Sequence, residues 1–102
     1  MSAIIQGTTP TIKYTFNTVA VADIAVAYLT IKQNGATKIE KALSDATTGD
    51  KYIAWTLTQA ETLGLSLCSA ACQCNWKKSD GTRGASRILN VMVTENYKNE
   101  VI

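Results

Sequence analysis

Between Ser66 and Val93, apolar and polar residues alternate along two runs joined by a turn. In the first run Cys68, Ala70, Cys72, Cys74 and Trp76 alternate with Leu67, Ser69, Ala71, Gln73, Asn75 and Lys77. Side chains of a strand point to opposite faces with period two, so the first set shares one apolar face. Ser79-Asp80-Gly81-Thr82 follows as a turn, with Gly81 available where φ must be positive. The chain returns with Leu89, Val91 and Val93 apolar. The pattern predicts a long antiparallel hairpin with one face on a core and one in water.

The same period recurs upstream. Ile12, Tyr14 and Phe16 share one face of a strand over 11–16, and Ile53, Trp55 and Leu57 share one over 52–57. Ile24 to Gln33 is rich in β-branched and aromatic residues and runs into Asn34-Gly35, the strongest short hairpin signal. Alanines make a helix over 19–30 the competing expectation. The return over 37–43 carries Ile39 and Leu43 among charged residues, and 44–50 reads as a loop. Thr58 and Glu61 form a capping box that predicts a short helical turn near 58–63, ended by Gly64. Met1 to Pro10 reads as an opening or edge segment, interrupted by Gly7 and Pro10. About seven strands at 8–12-residue spacing predict an all-β, antiparallel, Ig-like β-sandwich. Trp55 and Trp76 are its inward anchors, and residues 1–102 form one domain.

Composition narrows the function classes. At 102 residues, a chain can bury roughly 60–70% of its unfolded surface, enough for one core without staples. With 46% apolar and 18% charged residues it belongs with folded chains. A net charge of +2 with scattered Lys and Arg gives no basic stripe, so no nucleic-acid partner is expected. No run approaches the ~20 apolar residues of a membrane span. The opening Met-Ser-Ala-Ile-Ile-Gln-Gly lacks the positive and apolar regions of a signal peptide. Three closely spaced cysteines and that opening predict a protein made in a cytosol, with Cys72 and Cys74 badly placed for bridging each other.

Candidate chemistry is sparse. Cys68, Cys72 and Cys74 lie within a strand, with no histidine and no fourth cysteine, so no metal site is expected and the thiols read as small hydrophobes. Without histidine, acid–base catalysis would fall to carboxylates that sit mostly in turns and exposed positions. The chain is expected to be no enzyme, to take no cofactor and to bind no small-molecule substrate. Ser79 to Gly84 links two strands and opens no helix, so it is not a phosphate cradle. Trp76 beside Lys77-Lys78, with Arg83 and Arg87 across the turn, could dock a sugar or a nucleic acid strand, but an anchored core tryptophan with a charged hairpin rim is the plainer reading. The ends carry apolar residues, Ile4, Ile5, Tyr97, Val101 and Ile102, which either tuck into the chain's own sheets or contact a neighbouring subunit.

Several phrases carry a resemblance. The opening Ile4-Ile5-Gln6-Gly7-Thr8-Thr9-Pro10-Thr11 resembles the start of small structural proteins in prophages of Gram-positive bacteria. Leu29 to Gly35, Leu57-Thr58-Gln59-Ala60-Glu61-Thr62-Leu63, Trp76 to Thr82, Ala85-Ser86 and Val101-Ile102 are similar to later phrases of the same proteins. The pattern is also similar to the N-terminal β-sandwich domain of phage baseplate upper proteins. The likeness covers most of the chain and departs at Cys68 to Cys74, where such proteins carry ordinary aliphatic or polar residues. It implies a non-enzymatic virion structural protein of the tail, baseplate or head–tail region, synthesised in the host cytoplasm and then built into the virion. Its partners would be other virion proteins and itself, with Ile4, Ile5, Tyr97, Val101 and Ile102 as candidate assembly contacts. The alternative is a small carbohydrate-binding sandwich using Tyr28, Tyr52 or Trp76.

Overall fold

A computed structural model describes residues 3–102, so Met1 and Ser2 of the opening segment lie outside the described residues. Nine strands form: β1 Ala3–Ile5, β2 Thr11–Thr15, β3 Ile24–Gln33, β4 Ala36–Ala42, β5 Thr47–Thr48, β6 Tyr52–Thr56, β7 Ser69–Lys78, β8 Arg83–Ala85 and β9 Leu89–Thr94. One helix, α1 Gln59–Leu63, and two 3-10 turns, Val21–Asp23 and Leu43–Asp45, complete the structure. A six-stranded sheet has the order β1-β9-β7-β3-β4, with β8 also paired to β7; a three-stranded sheet has the order β2-β6-β5. The result is the expected sandwich-like all-β fold, with nine strands in place of about seven because the short β5 and β8 were not foreseen.

Local sequence explains the elements. Asn34 (φ 52°) and Gly35 (φ 79°) both occupy the left-handed region that the two-residue β3–β4 turn requires. The β-branched run before them forms a strand, not the competing helix. Thr58 Oγ1 accepts from the Glu61 amide at 3.1 Å, and Glu61 Oε1 accepts from the Thr58 amide at 2.8 Å, which starts α1. Glu61 also pairs with Lys41 at 2.9 Å, tying α1 to β4. Partial burial alone would raise the Glu61 carboxyl; the Thr58 amide and the Lys41 ammonium outweigh it and hold the group below its ordinary value.

The expectation of a wholly antiparallel sheet is corrected at β1. This strand runs parallel to β9, with Ala3 opposite Met92 and Ile5 opposite Thr94. After β1 the chain crosses to the other sheet, so no hairpin dictates the direction in which β1 pairs. The long hairpin is also interrupted. From the pair Asn75–Ala85 to the pair Cys72–Leu89, β7 advances three residues while the return strand advances four. The extra residue is a bulge. Ser86 repairs the ladder there, its amide donating to the Cys74 carbonyl at 2.8 Å and its Oγ accepting from the Cys74 amide at 2.9 Å. Leu89, expected inward, is exposed beside this bulge, because β1 reaches only Met92 to Thr94 and leaves the start of β9 without a neighbour.

The core lies between the sheets. Leu29, Ile31, Ile53, Trp55, Leu57, Ala70 and Cys74 are fully buried, joined by Ile12, Phe16, Cys72, Val91 and Val93. Trp55 donates from Nε1 to the Ala42 carbonyl at 2.9 Å, so its one polar atom is satisfied and the small sheet is fastened to the edge of the large one. Trp76 is half-buried, its ring meeting Phe16 edge-on with centroids 4.9 Å apart.

Candidate assembly surface

The side chains that might carry chemistry have structural surroundings. Cys72 and Cys74 are buried on the inward face of β7, and burial pushes both thiols up to about 11. Cys68 is half-buried, and all three are free thiols. Since the thiolate is the reactive form, an excess of thiol reagent at neutral pH should label Cys68 first and Cys72 and Cys74 only as fast as the protein unfolds. Mass spectrometry of partially labelled native protein checks this; equal labelling of the three would contradict their burial. Among the described residues no three His, Cys, Asp or Glu side chains gather as a metal site. Next to these thiols the Tyr14 hydroxyl is buried without a hydrogen-bond partner. Its burial drives the phenol well above its ordinary range; Cys72 and Cys74 add to this and the Ser86 hydroxyl opposes it.

The carboxylates act locally. Asp45 accepts from the Ala42 amide at 3.4 Å, and Asp80 accepts from the Thr82 amide at 2.8 Å, closing the β7–β8 turn. The aromatic residues expected for sugar docking lie apart. Tyr52, on the outer side of β6, has Lys13 Nζ 4.3 Å from its ring centroid. Tyr28 is exposed on the outer face of the large sheet, while Trp76 turns its ring toward Phe16. Tyr28 and Trp76 do share the edge of a shallow hollow of about 170 Å³ with Val26, Asn75, Lys77 and Arg83.

The candidate assembly residues divide. Ile4 is fully buried in the chain's own core, so it is withdrawn as a contact residue. Ile5, Tyr97, Val101 and Ile102 are exposed, by 47%, 98%, 61% and 83%. Ile5 lies at the end of the sandwich where β3 and β9 finish and β7 begins, as the pairings Ile5–Thr94, Ser69–Met92 and Lys32–Ala71 show, while Ile102 is held against Gln59 at the start of α1.

Four amide side chains knit this end together. Gln33, only 2% exposed, donates from Nε2 to the Ser66 carbonyl at 2.8 Å and accepts at Oε1 from the Ser66 amide at 2.8 Å. Its Nε2 also approaches the Cys68 carbonyl at 3.4 Å and the Cys68 Sγ at 3.5 Å. Gln6 donates to the Leu65 carbonyl at 2.7 Å, and Asn96 donates to the Gln6 carbonyl at 2.9 Å. Gln59 holds Ile102 by both of its main-chain groups: the Ile102 amide donates to Oε1 at 2.7 Å and Nε2 donates to the Ile102 carbonyl at 3.0 Å. Sequence reading missed all four. The only available signal was parity, since Gln33 continues the inward series of Leu29 and Ile31.

Edge pairing is restricted. The outer strand β4 carries Lys38, Glu40 and Lys41 and is bulged where Ile31–Ile39 pairing gives way to Lys32–Thr37. Charges and a bulge blunt an edge against strand addition, and β1 offers only three residues. At the end of the sandwich where β3 begins, an open groove of about 690 Å³ is lined by Ala20, Val21, Ala22, Ile24, Leu43, Ala46, Thr48, Gly49 and Asp50. No helix among the described residues is long and apolar enough to cross a membrane. Comparison with protein-family models, curated proteins and solved structures returned no match.

Proposed function

We propose that this chain is a non-enzymatic structural protein of a phage or prophage virion, from the tail, baseplate or head–tail region, that works by protein–protein assembly. The observation that supports this reading is the tail end of the sandwich. Ile5, Tyr97, Val101 and Ile102 expose apolar side chains while Gln59, Asn96 and Gln6 fix the backbone that carries them. A fraying segment would leave both side chain and backbone in water; here only the side chains are offered. Symmetric closure multiplies such small contacts into a stable ring. On this reading the protein is made in the host cytoplasm and then enters the virion, with other virion proteins and further copies of itself as partners.

A second reading is a carbohydrate-binding sandwich, favoured by the exposure of Tyr28 beside Asn75 and Arg83. It has less behind it, because Tyr52 lies on the other sheet and Trp76 faces inward. Native mass by light scattering across a concentration range, with reductant present, tests the first reading. A discrete oligomer is expected; a monomer at every concentration would remove self-assembly, and titration with oligosaccharides would then test the second.

A further inference from the structure

The outer face of the large sheet carries two shallow hollows in line. Val26, Tyr28, Thr30 and Lys32 point outward from β3, alternating with buried Ala27, Leu29, Ile31 and Gln33. Each is paired with an outward residue of β7: Val26 with Lys77, Tyr28 with Asn75, Thr30 with Gln73 and Lys32 with Ala71. The first hollow, of about 170 Å³, spans the first two pairs and takes in Arg83 from β8. The second, of about 130 Å³, spans the last two and is flanked by Ile88. Val26 and Lys32 are six residues apart on one strand, so the cations at the two ends stand about 20 Å apart.

Both hollows carry positive charge alone. Lys77 and Arg83 line the first and Lys32 the second, with no carboxylate in either. Glu40 faces the same way from β4, opposite Thr30, and Asp23 and Asp80 sit with Lys78 at the hairpin tip beyond Lys77. Asp80 is already engaged there by the Thr82 amide. The ion pairs among the described residues are Lys41–Glu61 and Lys98–Glu100, so Lys32, Lys77 and Arg83 have no carboxylate within pairing distance. Lys77 and Arg83 are moreover directly opposite each other in the β7–β8 pair. Like charges so placed destabilise a sheet, and an anion between them would relieve the repulsion.

The rest of the surface suits a sugar. Tyr28 is exposed and offers a flat apolar ring, the counterpart of the C–H face of a pyranose. Arg83 donates to Asn75 Oδ1 at 3.4 Å and Gln73 donates to the Ser86 carbonyl at 3.0 Å, which orients both amides. Asn75 Nδ2, Gln73 Oε1 and Thr30 Oγ1 make no hydrogen bond to any described residue and are left for hydroxyl groups. An extended peptide joins a sheet through main-chain hydrogen bonds at an edge, but β3 and β7 already pair on both sides. A single nucleic acid strand is held by a series of stacking rings along a basic groove, and Tyr28 is the one exposed ring lining either hollow.

We propose that the outer face of β3 and β7 binds an extended acidic polysaccharide. Tyr28 lies beneath one sugar ring, Arg83 and Lys77 hold a carboxylate or phosphate on it, and Lys32 holds another further along the chain. This rests on the carbohydrate-binding reading above and adds the charge of the ligand and its path. Ile5, Tyr97, Val101 and Ile102 line neither hollow, so the same protein can assemble and bind.

Isothermal titration calorimetry on the full chain tests it, with oligogalacturonate, hyaluronan and phosphomannan fragments long enough to span both hollows. At least one should bind, and binding should weaken as salt rises. Arg83→Gln, Lys32→Gln and Tyr28→Thr alter exposed positions, so circular dichroism melts should stay near the parent. Each should lower the affinity about three- to tenfold. Acidic-glycan binding that no folded variant weakens would overturn the assignment to this face. Equal binding of a neutral glycan, fully methyl-esterified oligogalacturonate, would overturn the acidic ligand and leave the carbohydrate reading standing. Equal binding of oligothymidylate or polyglutamate would make the face a general polyanion surface and overturn the sugar. If no glycan binds, acidic or neutral, this assignment and the carbohydrate reading fall together.

Discussion

Replacing Gln33 by alanine should lower the unfolding free energy by about 2–4 kcal/mol. Two effects combine. The Ser66 amide and carbonyl lose their side-chain partners at a site where Gln33 itself is 2% exposed, and an unsatisfied buried group costs about 1–3 kcal/mol. Truncation also leaves a space under the crossover that brings the chain from α1 into β7. Urea titration measures the shift in midpoint, and a change below about 0.5 kcal/mol, typical of an inert surface site, would refute the clamp. Gln33→Glu is a sharper probe because it keeps the acceptor for the Ser66 amide and loses the donor to the carbonyls. A carboxylate buried against carbonyls has its folded pKa raised above the ordinary ~4.3. Between the unfolded and folded values the folded state binds more protons, so stability falls as pH rises through that window. Gln33→Glu should therefore be weakest at neutral pH and recover on acidification, whereas Gln33→Ala should show no such recovery.

A comparable loss, about 1–3 kcal/mol for overpacking, is expected for Gly84→Ala. A Cβ at Gly84 would stand 2.5 Å from Trp76 Cζ2 and 2.6 Å from Cε2, well inside contact distance. The indole cannot simply retreat, since Phe16 meets it edge-on from the core side. Here Gly84 is directly opposite Trp76 in the β7–β8 pair, and the ring covers the backbone that lacks a side chain. Gly84→Val should be worse still. The cause is separable by pairing Gly84→Ala with Trp76→Leu: if the clash is the reason, the double variant loses less than the sum of the singles, by the logic of a double-mutant cycle. Strict additivity would place the effect elsewhere. Gly49 repeats the arrangement, with a Cβ there only 2.0 Å from Tyr52 Cε2.

Both sites show what the sequence conceals. Alternation located β2, β6 and β7, β-branched and aromatic content located β3, the turn residues Asn34-Gly35 located the β3–β4 hairpin, and Thr58 with Glu61 located α1, because each depends on near neighbours in the chain. The inward series Ala70, Cys72 and Cys74 was legible for the same reason. The contacts of Gln33, Gln6, Gln59 and Asn96 join residues far apart in sequence and leave no local period. The bulge at Ser86 to Ile88 was equally hidden, and so was the exposure of Leu89, which keeps the inward parity of Val91 and Val93 but lies beyond the reach of β1. Likewise, the exposed side chains of Tyr97, Val101 and Ile102 were legible as apolar ends, but Ile4 differed from Ile5 only by parity in a three-residue strand.

The parallel pairing of β1 with β9 sets an order of events during synthesis. Ala3 to Ile5 leave the ribosome before every other strand of the sandwich, yet their hydrogen-bonding partners, Met92 to Thr94, belong to its last strand. At 5–20 residues per second, β1 waits roughly 5–20 s for its neighbour. During that interval Ile4, later fully buried, is apolar surface without a home. The inner strands can pair beforehand, but the edge formed by β1 and the amide network around Gln6 and Asn96 can close only at the finish. The end of the sandwich from which the exposed tail leaves is thus completed last, which keeps the proposed assembly contact unavailable until the rest of the sandwich exists.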